Sequence, residues 1–567
     1  MAFARQMVCY NFIVKDNMRN KDELPSETWY VIVLRPALYC LFIFLLFWGV
    51  LSCSATNHLG KRSKDISPND FGLAKARTGE VRYQVLLETH RAAVKSGVNV
   101  DYTGIDTIKL EIPEKTSPIP LTHYNDFKGC VFVVKNTSKK CYLFERRVEG
   151  MPISINKRLI DKGDFRTVEE LKQGRYLLIV EDENLWVLQR RGKEYGHTRK
   201  DVLLVKNGMA KNTVVMPYDN EYSKPKCTFV TLDKEPLVIK NLSIARDEGC
   251  TFLTHVTNIA GADDVRFENV SINTPESPLT DDRGISIYNC TNVTMNNVRI
   301  EGTYSHTDHS GYGVFLNNVW NYKSTNMYGK ANWGIFGNNN VNVARIEDSQ
   351  INRFDIHCYG RDISFKNVSF FDLYNQYSSV YGTIQYDKCT FTDFVPVLNG
   401  GSYNAFVEHE VVLNDCVFNV TPEKNYILKM SNLNDVVNVR PELKEKCLPN
   451  VKIHNLVVNL TEGTEEFIIF KSSSGGKKVL SIGGLSKITI DGLTVNSSSE
   501  NPVKRMMLSN IDIQTNTPVD CQLKNVVVNQ PQTKSLFGGS RPNVQLKSNL
   551  TVKGGKVQLL NVNGIKE

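Results

Sequence analysis

At 567 residues the chain is too long for one compact core, so it forms either several domains or one elongated repeat. Its 41% hydrophobic and 23% charged residues are the balance of a folded globular protein and exclude a disordered chain. A formal charge of +8 excludes the dense basic surface of a nucleic-acid binder and is compatible with an acidic partner.

The first feature along the chain is the apolar run Leu38–Val50 (LYCLFIFLLFWGV) behind Arg35. It is short for a bilayer-spanning helix and has the length of a signal-peptide core. The run ends in Val50-Leu51-Ser52-Cys53, which resembles a bacterial lipobox with Cys53 as the lipidated residue. Residues 1–53 therefore read as a signal peptide, with Met18 as an alternative start, and 54–75 as a polar tether. An ordinary secreted protein or a single anchor helix are the other readings of this run. The expected location is outside the cytoplasm, as an outer-membrane lipoprotein at the cell surface or the periplasmic face. Beyond Cys53 ten cysteines follow without a CxxC pair, which argues against a zinc or redox motif.

Residues 76–129 read as an N-terminal cap and the first turns of a repeat. Val81–Ser96 carries apolar residues at helical spacing and stops at Gly97, and Val98–Ile112 alternates as strands do. Over 130–215 no repeat is visible; Val168–Arg191 and Arg199–Asn207 suggest an inserted, strand-rich subdomain. Its Arg190, Arg191, Lys193, Arg199 and Lys200 either meet a polyanion or form a solvated face.

From 216 to 567 the chain repeats. PLVIKNLSI, VRFENVSI, VTMNNVRI, ISFKNVSF, IQYDKCTF, VVLNDCVF, VKIHNLVV, ITIDGLTV and CQLKNVVV each hold two alternating strands around a polar break. The break is usually Asn, Asp or Gly, residues that tolerate the left-handed backbone of a tight turn. Breaks at Asn241, Asn269 and Asn297 lie 28 residues apart. Such periodicity specifies a solenoid of short β-units. Cys389 and Cys416 fall directly after a break, in an apolar interior column, and are expected as buried thiols.

Between Asn297 and Asn367 stand the last three of four runs that align on their apolar alternation: Gly284–Cys290, Gly313–Val319, Trp333–Asn339 and Phe354–Gly360. With Ile285, Val314, Ile335 and Ile356 inward, Gly284, Gly313 and Gly334 form an outward trench ending at Asp355. Phe315 and Phe336 then form its aromatic floor and His357 stands at its end; a slip of one residue would turn Asp355 and His357 into the core. The candidate catalytic residues are His357, Arg353, Asp355, Tyr312 and Tyr359. Arg283, Tyr288, His306, His309, Phe315, Lys330, Trp333, Phe336 and Arg361 are candidate substrate contacts. Asp355 can alternatively cap a turn or pair with Arg353. His306, Asp308 and His309 have a spacing that could hold a metal, though a polar loop explains them as well. No metal site is assigned, and a divalent cation such as calcium is the one cofactor left open.

The broken strand pairs, the short helix following Asp70-Phe71-Gly72 and the glycine-lined face resemble the pectin-lyase-like superfamily of right-handed parallel β-helices. The resemblance implies an all-β fold: a right-handed parallel β-helix with a short N-terminal capping helix and a small α+β insertion. Together with the lipobox it implies a Bacteroides-type exported protein acting on glycans, without choosing among the superfamily's lyases, hydrolases and epimerases.

The leading expectation is a polysaccharide lyase that cleaves a uronic-acid glycan by β-elimination, with a glycosaminoglycan such as chondroitin sulfate or hyaluronan as first candidate. A cation neutralises the uronate (Arg353 or Arg283), a base removes the C5 proton (His357) and an acid protonates the leaving oxygen (Tyr312 or Tyr359). A carboxylate-pair glycoside hydrolase using Asp308 and Asp355, and a non-catalytic glycan-binding or adhesive lipoprotein, are the alternatives. The expected partners are an anionic polysaccharide and the outer membrane through the lipid anchor, with no nucleic acid and a monomeric chain.

Overall fold

The computed structural model describes residues 65–563, except 189–195, 275–282, 303–311, 399–407, 432–449, 474–486, 498–503, 511–519 and shorter interruptions. The signal-peptide reading, Cys53 and residues 54–64 of the tether lie outside the described residues; the rest of the tether is no free linker, since Pro68–Phe71 and Leu73–Lys75 form 3-10 turns and Leu73 packs into the core. The fold is a right-handed parallel β-helix. Each coil is a circuit of three short strand segments, and each segment pairs in parallel with its counterpart one coil on. Arg283–Gly302 and Phe354–Phe371 run through all three faces as single bent strands.

The turns explain why the sequence coils. Asn241, Asn269 and Asn297 have φ of 54°, 55° and 55°, the left-handed region that lets the second face bend into the third. Their amides also stack: Asn269 Nδ2 donates to Asn241 Oδ1 at 3.0 Å, and Asn297 Nδ2 to Asn269 Oδ1 at 2.9 Å. A side chain that both permits the bend and hydrogen-bonds its neighbour one coil on can repeat from coil to coil along the outside of the turn. Lys388, Asp415, Asn455, Gly492 and Asn525 take the same conformation in later coils.

Inside, the columns are apolar and partly aromatic. Phe370 and Phe391 stack at 5.0 Å between centroids, and Phe391 and Phe418 at 4.0 Å. Cys389 and Cys416 sit in this interior as free, buried thiols.

The helix Gly79–Ser96 closes the N-terminal end. Thr78 Oγ1 accepts from Val81 N, and Gly97, at φ 65°, ends the helix. Its buried Tyr83, Leu86, Leu87 and Ala93 cover the core that the first coil would expose. His90, fully buried, is held between Pro120 O (2.9 Å, Nδ1) and Tyr102 Oη (2.8 Å, Nε2). Burial pushes its pKa down from 6.5 to about 4. Between those values the unfolded chain binds the extra proton, so the contribution is present above pH 6.5 and lost as pH falls towards 4. Up to about 3 kcal/mol is expected to disappear over that window. Denaturant midpoints at pH 7 and pH 4.5 check this: the drop is expected to shrink in His90→Gln.

A second, antiparallel sheet contains Met151–Ile153, Arg175–Leu188, Gly196–Lys206, Met209–Ala210 and Pro225–Thr231. With the short helix Lys157–Lys162 it makes an insertion over 151–231. Sequence placed this insertion at 130–215. The difference arises because Val131–Lys135 and Cys141–Arg147 pair into the solenoid, with Thr107–Glu111 and Thr254–Ala260. The insertion leans on the solenoid through an Arg175–Asp263 ion pair, Asn340 Nδ2 donating to Lys200 O, and Arg361 Nη1 donating to Thr213 Oγ1 at 3.1 Å. Two of its basic residues face inward or are paired: Arg199 is buried over the Tyr218 ring at 3.5 Å, and Lys200 pairs with Glu181 at 3.1 Å.

Candidate active site

The first two runs pair as their alternation predicts, Ile285 with Val314 and Ile287 with Leu316. The third does not: Val314 pairs with Phe336, one residue later than expected. Phe336 is therefore in the core, packed between Tyr322 and Phe354, and is no sugar platform. The glycine trench is absent for the same reason. A Cβ on Gly313 or on Gly329 would run into Ile335, so these glycines make room for a buried side chain inside the coil. Phe336 pairs with Phe354, which sets Asp355 beside Gly337. The outward column is thus Ser286, Phe315, Gly337, Asp355, Gln376. Asp355 keeps its outward side because its register moved by an even number of residues, and Phe336 lost its own because it moved by one.

Gly337 is bare so that Tyr312 can lie across it; a Cβ there would enter the Tyr312 ring. The Tyr312 hydroxyl accepts from Trp333 Nε1 at 2.8 Å, faces His357 Nε2 at 2.8 Å and reaches Asp355 Oδ2 at 3.4 Å. His357 is an extra residue in its strand: Asn338 pairs with Ile356 and Asn339 with Cys358, which leaves His357 on a bulge. Bulges re-aim side chains in this way. The His357 side chain is 12% exposed and forms the rim of the cluster.

Behind this rim, Arg353 Nη2 binds Asp355 Oδ2 at 2.6 Å, with side-chain exposures of 2% and 0%. Arg353 Nη1 donates to Trp333 O at 2.8 Å, and its guanidinium lies 4.4 Å from the ring centroids of both Trp333 and Tyr374. Burial, the largest single influence, would lower the Arg353 pKa; the charge and hydrogen bond of Asp355, together with Tyr312 and Tyr374, outweigh it and raise the pKa above its ordinary value. Gln376 N donates to the other Asp355 oxygen at 3.0 Å.

Arg353 and Asp355 were expected to face substrate. They are buried against each other, the pairing that sequence held as the alternative for Asp355, because two charges without solvent must neutralise locally. They position the rim. Asp355 Oδ2, 3.6 Å from His357 Nε2, can stabilise a charged imidazole, and Tyr312 can hand a proton to Nε2 or take one from it.

The other expected residues divide. Tyr288 and Phe315 meet on the same face at 5.7 Å, on neighbouring strands leading to Gly337 and Asp355. Lys330 is committed to Asp372 (3.4 Å), and Arg361 to Asp362 (3.3 Å) and Thr213, so neither joins the cluster. His306 and His309 lie outside the described residues, as do the side chains of Arg283 and Tyr359. Among the described residues no three His, Cys, Asp or Glu side chains gather as metal ligands. Tyr374 and Gln376 went unrecognised in the sequence, since their relevance comes only from stacking one coil beyond Asp355.

Gly337→Ala is expected to leave the solenoid folded and to displace the Tyr312 ring. If this cluster is catalytic, turnover should fall at least tenfold, as small misplacements of reacting groups do, with the circular dichroism spectrum unchanged.

No protein-family model and no curated protein matches the chain. Solved structures do. A tailspike protein from Pseudomonas phage LKA1 aligns at 12% identity over 87% of this chain and 84% of its own, with a TM-score of 0.47. A tailspike of Acinetobacter baumannii bacteriophage AP22, solved in complex with A. baumannii capsular saccharide, aligns at 11% identity over 82% and 77% (TM-score 0.39). A hyperthermoactive exopolygalacturonase from Thermotoga maritima does so at 11% over 88% and 94% (TM-score 0.29). No residue role is transferred from these likenesses.

Proposed function

We propose that this chain depolymerises an acidic, uronate-containing glycan by β-elimination at Tyr312 and His357. The observation that carries the reading is the 2.8 Å contact between Tyr312 Oη and His357 Nε2 at the rim of a buried Arg353–Asp355 pair. His357 takes the proton from C5 as the C4–O bond breaks and the C4=C5 double bond forms. Tyr312 gives its hydroxyl proton to the leaving oxygen. The proton on His357 then returns to the tyrosinate through their hydrogen bond, and both groups are restored. Asp355 steadies the imidazolium between these events. The carboxylate of this cluster is locked to Arg353, which supports His/Tyr chemistry over a pair of catalytic acids.

Incubation with pectate, alginate, hyaluronan and chondroitin sulfate, followed by the ultraviolet absorbance of the new conjugated double bond, tests this. Absorbance growth with at least one polymer is expected. New reducing ends without absorbance would assign hydrolysis, and no product with any polymer would leave a binding protein. The lipobox motivates placing the protein at the outer membrane; Cys53→Ala is then expected to move it from the membrane fraction to the soluble one.

A further inference from the structure

Beyond the cluster, the outward column of the first face continues from Asp355 through Gln376 and Val397 to Lys429 and Lys471, each paired with the next in register. Lys429 is thus three strands on from Asp355 and Lys471 four, roughly 14 and 19 Å along the axis at about 4.8 Å per strand. The two lysines are directly paired across the sheet, an arrangement that like charges disfavour. Both ammonium groups lie over one ring, Tyr426, at 5.5 and 4.8 Å from its centroid. Both are half-buried, and among the described residues neither is ion-paired with a carboxylate. Burial, followed by the charge of Lys471, pushes the Lys429 pKa below its ordinary value.

We infer that Lys429 and Lys471, braced by Tyr426, form an anion subsite that holds a carboxylate or sulfate of the polymer several sugars away from the reacting bond. An anion between the two ammonium groups would cancel their repulsion and accept charge-assisted hydrogen bonds from both. The subsite shares its face with Asp355 and rests on the glycan reading for its ligand. It does not depend on cleavage.

The test is affinity electrophoresis of the full chain, wild type against Lys429→Gln/Lys471→Gln, in gels containing polygalacturonate, dextran sulfate or neutral dextran. Wild type is expected to be retarded by at least one acidic polymer and not by dextran. Polygalacturonate retardation assigns a carboxylate, and dextran sulfate retardation a sulfate. The double variant is expected to bind at least tenfold more weakly, with a shallower salt dependence, and Lys429→Arg/Lys471→Arg to restore most of the affinity. Equal retardation of wild type and the Gln variant, or no retardation of wild type by either acidic polymer, overturns the subsite. Loss of binding in the Gln variant upholds the subsite even if no polymer is ever cleaved, in which case only the lyase reading falls.

Discussion

Alanine at position 357 is expected to lower the turnover of an acidic glycan by about 100- to 10,000-fold, the range for removing a positioned acid–base group. Stability should change by less than about 1 kcal/mol, because His357 sits on a rim bulge and leaves no core cavity. Tyr312→Phe keeps the ring over Gly337 and removes only the hydroxyl. It removes the acceptor of Trp333 Nε1 and the hydrogen-bond partner of His357 Nε2, so a stability loss of about 1–3 kcal/mol accompanies a comparable loss of turnover. Because the two groups exchange one proton, the double variant is expected to be about as slow as either single one. Turnover of His357→Ala within a few-fold of wild type would remove histidine from the chemistry.

The second large effect is on the fold. Arg353→Met leaves Asp355 as a bare charge at 0% exposure and is expected to cost about 3–5 kcal/mol. Adding Asp355→Asn should return part of that loss, since a neutral amide no longer needs a counter-charge there. Denaturant midpoints of wild type, both single variants and the double variant give the coupling directly. A double-variant loss equal to the sum of the two singles would show that the pair is not a unit. Arg353→Lys is a sharper probe: a lysine keeps the charge but cannot lie flat between Trp333 and Tyr374 while donating to both Asp355 and Trp333 O. It should retain most of the fold while disturbing the seat of Trp333, and with it the Tyr312 hydroxyl.

How much of this was legible follows from what each residue reports. The asparagine breaks and apolar alternation foretold the coils, because the left-handed turn and the inward column are both local demands on residue type. Tyr312, Trp333, Arg353, Asp355 and His357 were all singled out, since polar and aromatic residues crowded between strongly alternating runs have no simple packing explanation. Their roles were less legible. Arg353 looked like a substrate cation and is an internal counter-ion; Phe336 looked like a sugar platform and is core.

By itself, then, the sequence determined the solenoid, its helical cap, its turn chemistry and the neighbourhood of the site. Only the tertiary structure decided the register of Trp333–Asn339, the burial of the Arg353–Asp355 pair, the seat of Tyr312 on Gly337 and the lysine pair at Lys429 and Lys471. The physical reason is the period of two in a strand: alternation says which residues share a side, but not how many residues a corner absorbs. Ile335 and Phe336 are both apolar enough to face inward. The corner at Gly334, with φ 141° and Ile335 filling the space left by Gly313 and Gly329, chose between them.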